Sequence, residues 1–192
     1  MTTPASSRSL TLVALFAALL AVFGLIPKID LPFGVPITIQ TLGVMLAGCL
    51  LGPRRAFQAL ALFLVAVAFG LPLLSGGRGG FAVFVAPSSG FLVGWLFGAL
   101  VCGWVMWALP GATPMRLALR AFVASVVGGI GVVYAFGILG LVWLAHLTPW
   151  QALVASMAFM PGDLIKCVLC ALLVHTVARG VPDWGFGPQK AA

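Results

Sequence analysis

Apolar residues fall in long runs along this chain, and short clusters of proline, glycine and charge separate the runs. The runs cover residues 10–26, 38–51, 56–74, 88–109, 121–147 and 150–177. About 20 apolar residues cross a bilayer as a helix, so the pattern predicts six spans. The second is short and is predicted to borrow from the loop before it. There Pro27, Pro32 and Pro36, with Asp30 and Gly34, forbid a helix. Residues 1–9 are polar and predicted to fray. Ser75-Gly76-Gly77-Arg78-Gly79-Gly80 reads as the most flexible loop, with the conformational freedom a mobile lid needs. Thr148-Pro149-Trp150 opens the sixth run, and Pro161-Gly162 inside it predicts a loosened or kinked helix.

Composition sharpens this into a class. Of 192 residues, 62% are hydrophobic and 7% charged, and the mean hydropathy is +1.22. Soluble domains carry about 25% charged residues. The expected fold is an all-α integral membrane protein of six transmembrane helices with irregular outer loops. Residues 1–192 form a single transmembrane domain, and the short loops leave no room for a soluble one.

The net charge of +7 does not form the stripe that nucleic acid requires. With the N-terminus inside, Arg8, Arg54, Arg55, Arg116, Arg120, Arg179 and Lys190 lie on the inner side. Only Lys28 and Arg78 lie on the outer side, and Lys166 is within the membrane. This positive-inside bias predicts a multi-pass protein of a prokaryotic cell membrane with both termini cytoplasmic. The irregular pieces at 27–37, 75–88 and 145–149 then gather on the outer face.

Charge also picks out candidate chemistry. Asp163 and Lys166 lie three residues apart in an apolar run, so they share a helical face. An unpaired charge in mid-membrane costs roughly 2.5–3.5 kcal/mol on insertion scales, so such residues face a partner, a cavity or a ligand. A structural ion pair satisfies this, and so does one wall of an outward-opening binding site near mid-depth. The four cysteines, Cys49, Cys102, Cys167 and Cys170, all sit in apolar runs and read as small packing residues. No metal site and no cofactor is expected. The glycine-rich loop lacks the G-K-[ST] of a nucleotide-binding loop, which excludes ATPase chemistry in this chain. His146 and His175 suggest no nucleophile–base set, which argues against an intramembrane enzyme. In the first run, Ala14 and Ala18 form one small-residue line, and Ala17 and Ala21 form its neighbour. Either permits close docking of another helix, in this protein or in a partner.

Several segments together resemble a known family. They are residues 37–48 (ITIQTLGVMLAG), Gly70-Leu71-Pro72 with the 76–80 loop, Pro87-Ser88-Ser89-Gly90-Phe91-Leu92-Val93-Gly94, Tyr134-Ala135-Phe136-Gly137, and residues 159–166 (FMPGDLIK). In that order they resemble the biotin-specific substrate-binding (S) component of energy-coupling-factor transporters, over about residues 10–178. The departures are Ser88-Ser89 and Phe91, where the family often has Thr-Gly and Tyr. The resemblance implies a six-helix S-component fold that captures biotin from outside. It also implies a transmembrane coupling subunit and two cytoplasmic ATPase subunits on other chains.

Biotin's ureido ring offers N–H donors and a carbonyl, which Asp163 and Lys166 complement. Arg78 is the available cation for the valerate carboxylate, and is equally read as a solvated loop arginine. Tyr134 offers a ring face and a hydroxyl, or is a hydrogen-bonded core residue. Gln40 and Ser88, inside the matching segments, join the expected pocket. The competing class is a proton-coupled secondary transporter of a small polar solute, with Asp163 as the coupling group.

Overall fold

A computed structural model describes residues 4–30 and 36–187. Pro32, Gly34 and Lys190 lie outside the described residues. The first apolar run folds as α1 (Pro4–Gly24), beginning inside the segment expected to fray. After it, Ile29–Asp30 (β1) pairs antiparallel with Pro36–Ile37 (β2), two short strands within the proline-rich piece. Then follow α2 (Gln40–Leu51) and α3 (Pro53–Ala68), separated by Gly52 alone. Gly52 has φ +78°, and Pro53 stands in the first turn of α3, where its missing N–H costs nothing.

α3 stops six residues before the apolar run does. Gly70, at φ +99°, supplies the left-handed residue of a helix stop. Its N–H donates to Val67 O at 3.0 Å and that of Leu71 to Ala66 O at 3.3 Å, the paired bonds of a Schellman motif. Residues 71–80 form a tight turn with a bridge between Leu74 and Arg78. A 3₁₀ turn, Phe81–Phe84, then leads to α4 (Ser89–Ala108).

The fifth run is one long rod: α5 (Pro114–Ala124), a π-helical stretch Ser125–Val132, and α6 (Val133–Leu144). The last run contains a break. α7 (Pro149–Met157) ends before Phe159, and α8 (Met160–Gly180) begins anew with Pro161 in its first turn. Proline at that position starts a helix instead of bending one. Asp163 therefore lies in the first turn of a 21-residue span, at one end of it and not at mid-depth.

Counting α5–α6 as one rod, α1, α2, α3, α4, α5–α6 and α8 give the six helical rods expected, with α7 as a short addition. Four of them (α1, α4, the α5–α6 rod and α8) are long and apolar enough to cross a membrane. α4 is central, packed against α2, α3, α5 and α6. Its glycines permit that: a Cβ on Gly90 would meet Gly140 Cα at 2.8 Å, and one on Gly94 would meet Val133 Cα at 3.0 Å. Leu20, Met45, Leu60, Phe63, Met106 and Leu141 fill the interior. Leu15, Trp104, Leu119, Ile165 and Leu172 are exposed around the outside, as suits side chains that meet lipid tails.

The cysteines are buried and unbridged, as packing residues should be. Arg120, expected at the membrane surface, is instead buried. It donates to the carbonyls of Met106, Gly111 and Phe186, tying the last described residues to the ends of α4 and α5.

Candidate functional site

α2, α4 and α8 all begin at the same end of the bundle, where the 71–80 turn also folds. Between them and the first turn of α6 lies a half-open cavity with about 560 Å³ of empty space, open solvent included. Asp163, Lys166, Arg78, Tyr134, Gln40 and Ser88 all line it, together with Thr38, Thr41, Phe91, Trp95 and Phe159.

Asp163 is the hub. It is 4% exposed, and its Oδ1 accepts from Lys166 Nζ at 2.7 Å and from Thr41 Oγ1 at 3.2 Å. Oδ2 accepts from Tyr134 OH at 2.7 Å. Position in the first turn of α8 adds the favourable field of a helix N-terminus. Lys166 also donates to Thr38 O at 2.6 Å and Thr41 Oγ1 at 2.8 Å, so all three ammonium protons are engaged. The network therefore ties α8 to α2 and α6. An ionised carboxylate has about four acceptor positions, so one on Oδ2 remains for a further donor.

Phe91, Tyr134 and Phe159 make an edge-to-face triangle above this network, with centroids 5.8–6.5 Å apart. Phe91 reaches α6 because Gly137 leaves room for its ring.

Gln40 lines the cavity and also holds the fold together. Its Nε2 donates to Leu20 O at 3.0 Å and Leu73 O at 3.1 Å, and its Oε1 accepts from Ser75 N at 3.1 Å. Both amide protons are thus used to clamp the 71–80 turn against α1. The same turn is closed by reciprocal bonds between Leu74 and Arg78, at 3.0 and 3.1 Å. The glycine-rich segment is an anchored hairpin, so lid motion has to break the Gln40 clamp. At its edge Arg78 donates from Nη1 to Ser88 Oγ and from Nε to Ser75 O, both at 3.4 Å.

Sequence reasoning missed Thr41, Phe91, Trp95 and Phe159. Ser88, Phe91, Leu92 and Trp95 follow the i, i+3, i+4, i+7 spacing of one helix face, which was the available signal. On α1 the two alanine lines separate. Ala14 and Ala18 are exposed, whereas Ala17 and Ala21 pack on the core.

Helical rods of this length, around a half-enclosed cavity with a charged network at its base, define a polytopic membrane protein with a small-solute site at one end. Comparison with known proteins gives the particular family: the chain belongs to the BioY family, whose model matches residues 1–183. It is 51% identical over 180 residues to the biotin transporter BioY of Rhizobium etli, covering 92% of this chain and 96% of that one. To the biotin transporter BioY of Rhodobacter capsulatus it is 45% identical over 186 residues, covering 92% and 96%. The fold matches the crystal structure of the S-component for biotin from an ECF-type ABC transporter. That match has a TM-score of 0.82 at 29% identity, over 93% of this chain and 95% of that one.

Proposed function

We propose that this protein is the membrane-embedded biotin-binding subunit of an energy-coupling-factor importer. It captures biotin from the outer side for ATP-driven uptake by partner subunits. The observation that carries the reading is the buried Asp163–Lys166–Tyr134–Thr41 network at the base of a half-open cavity. Membership of a family whose relatives are named biotin transporters supports it. In this reading the protein binds a solute and catalyses no reaction.

The spare acceptor position on Asp163 takes a ureido N–H. Lys166 pairs with that carboxylate, and reaches a ligand carbonyl by giving up one of its three bonds. Arg78, with Ser88 beside it at the mouth, takes the valerate carboxylate. Gln40 holds the turn that carries Arg78. The whole chain acts as one membrane domain in a prokaryotic cell membrane, with both termini cytoplasmic and the cavity facing outward. A transmembrane coupling subunit docks on the exposed Ala14/Ala18 line, and two cytoplasmic ATPase subunits supply the energy.

Calorimetric titration of biotin into the purified protein tests this. Asp163→Asn should weaken binding by at least about 30-fold, since removing one member of a buried charged pair costs roughly 2–5 kcal/mol. Unchanged affinity in that variant would overturn the assignment.

A further inference from the structure

We infer that Trp95 is a ligand-contacting residue whose indole N–H donates to the carbonyl oxygen of the bound ureido ring; this rests on the biotin reading above. Four buried side-chain polar atoms among the described residues find no partner within the protein: Ser75 Oγ, Trp95 Nε1, Arg120 Nε and Ser125 Oγ. Of these residues only Trp95 lines the cavity. It is 5% exposed, so its N–H is withdrawn from bulk water without an acceptor in exchange. A buried unsatisfied donor is costly, and one carried by a side chain that lines a binding cavity marks a place where a ligand atom completes the bond.

The level of Trp95 identifies that atom. α4 and α6 run antiparallel with Gly94 against Val133, so the next residues, Trp95 and Tyr134, step in opposite directions and lie within about 3 Å of one another in depth. Tyr134 is the residue that bonds Asp163. Trp95 thus faces the layer in which Asp163 is expected to accept a ring N–H. A cyclic urea presents its carbonyl between its two N–H groups, so it needs a donor in that layer too. Lys166 has every proton already engaged, and Tyr134 has given its proton to Asp163. The Trp95 N–H is a donor available there without breaking a bond. Its ring is held from behind by Phe63, with centroids 6.4 Å apart.

The test compares wild type with Trp95→Phe, which keeps an aromatic ring and removes the N–H. Two ligands are used: biotin and 2-iminobiotin, whose protonated cyclic guanidine has no carbonyl acceptor. Trp95→Phe should weaken biotin about tenfold, the usual scale for one hydrogen bond in a buried site. It should leave 2-iminobiotin affinity within about twofold. The melting temperature of the unliganded protein should fall only by what the smaller ring loses in packing, because no protein acceptor loses its donor. Equal losses for both ligands with a lowered melting temperature would mean Trp95 only packs the wall, and would overturn the inference. So would unchanged biotin affinity. Wild-type protein that binds no biotin would instead overturn the functional reading, and this inference with it.

Discussion

Asp163 accepts three hydrogen bonds from three different elements, so its substitution touches stability and binding together. Tyr134→Phe separates the two more cleanly. It removes one donor to the carboxylate, on Oδ2, and leaves the ion pair on Oδ1 intact. A hydrogen bond to a charged group contributes about 1.5–3 kcal/mol, so unliganded Tyr134→Phe should melt several degrees lower. Lys166→Met strands a buried carboxylate and should cost more, about 3–5 kcal/mol. The double variant Asp163→Asn/Lys166→Met should recover much of that loss, because no unpaired charge remains. Thermal melting in detergent across the series checks this order, and a Lys166→Met variant as stable as wild type would contradict the network. At this scale the sequence exposed charges far better than apolar contacts. Asp163 and Lys166 stand out because ions in an apolar run demand an explanation, and Arg78 because it is the cation of the glycine-rich loop. Thr41, Phe91 and Trp95 do not, since hydroxyl and aromatic residues in spanning helices ordinarily pack. Gln40 was legible as a site residue but not as a clamp, because its partners Leu20 and Leu73 are backbone carbonyls remote in sequence.

Elements were legible where apolar length decides, and illegible where a terminus does. The long runs became α1, α4 and the α5–α6 rod. The early stop of α3 lay in Phe69-Gly70-Leu71-Pro72, a glycine followed by a proline, but apolar neighbours masked it. Pro161 was read as a kink, whereas proline in a first turn is a beginning. The close pairing of α4 with α6 makes a prediction at this scale. A methyl on Gly90 runs into the backbone of Phe136 and Gly140, which cannot move aside, while one on Gly131 meets only Val126 O at 3.6 Å. Gly90→Ala should therefore cost about 1–3 kcal/mol by overpacking. Gly131→Ala should be neutral or stabilising, since alanine is the better helix former. Melting of the two variants side by side checks it, and equal stability would deny the tight contact.

For the whole molecule, the arrangement of ends is the testable feature. Arg54, Arg55, Arg116, Arg120 and Arg179 gather at the end remote from the cavity, at the start of α3, the start of α5 and the end of α8. By the positive-inside rule that end is the one proposed to face the cytoplasm. Ala112 and His146 are exposed on opposite ends, and the native cysteines are buried, so background labelling is low. An impermeant thiol reagent applied to intact cells should label His146→Cys and spare Ala112→Cys. The reverse result would turn the cavity inward. The proposed docking of a coupling subunit belongs to this scale too. Tryptophan at both Ala14 and Ala18 should abolish co-purification of partner subunits and leave biotin binding intact, because those side chains are exposed and not core.

The ion pair of Asp163 and Lys166 lies within one helix, three residues apart and 2.7 Å between charged atoms. That spacing bears on how the chain is made. A carboxylate whose partner comes from another helix must enter the membrane alone and wait for assembly. Here the partner is in the next turn, so the two charges neutralise each other as soon as α8 forms in the translocon. Additive scales assign each ion an unfavourable cost, reaching about 2.5–3.5 kcal/mol at a helix centre, and on that arithmetic deleting Lys166 should help the segment insert. Early pairing forecasts the opposite. In a glycosylation reporter carrying residues 160–180, Lys166→Met should insert no better than the native segment, and Asp163→Asn/Lys166→Met should insert better than both. Improved insertion of Lys166→Met alone would show that the two charges pair only after the bundle has closed around them.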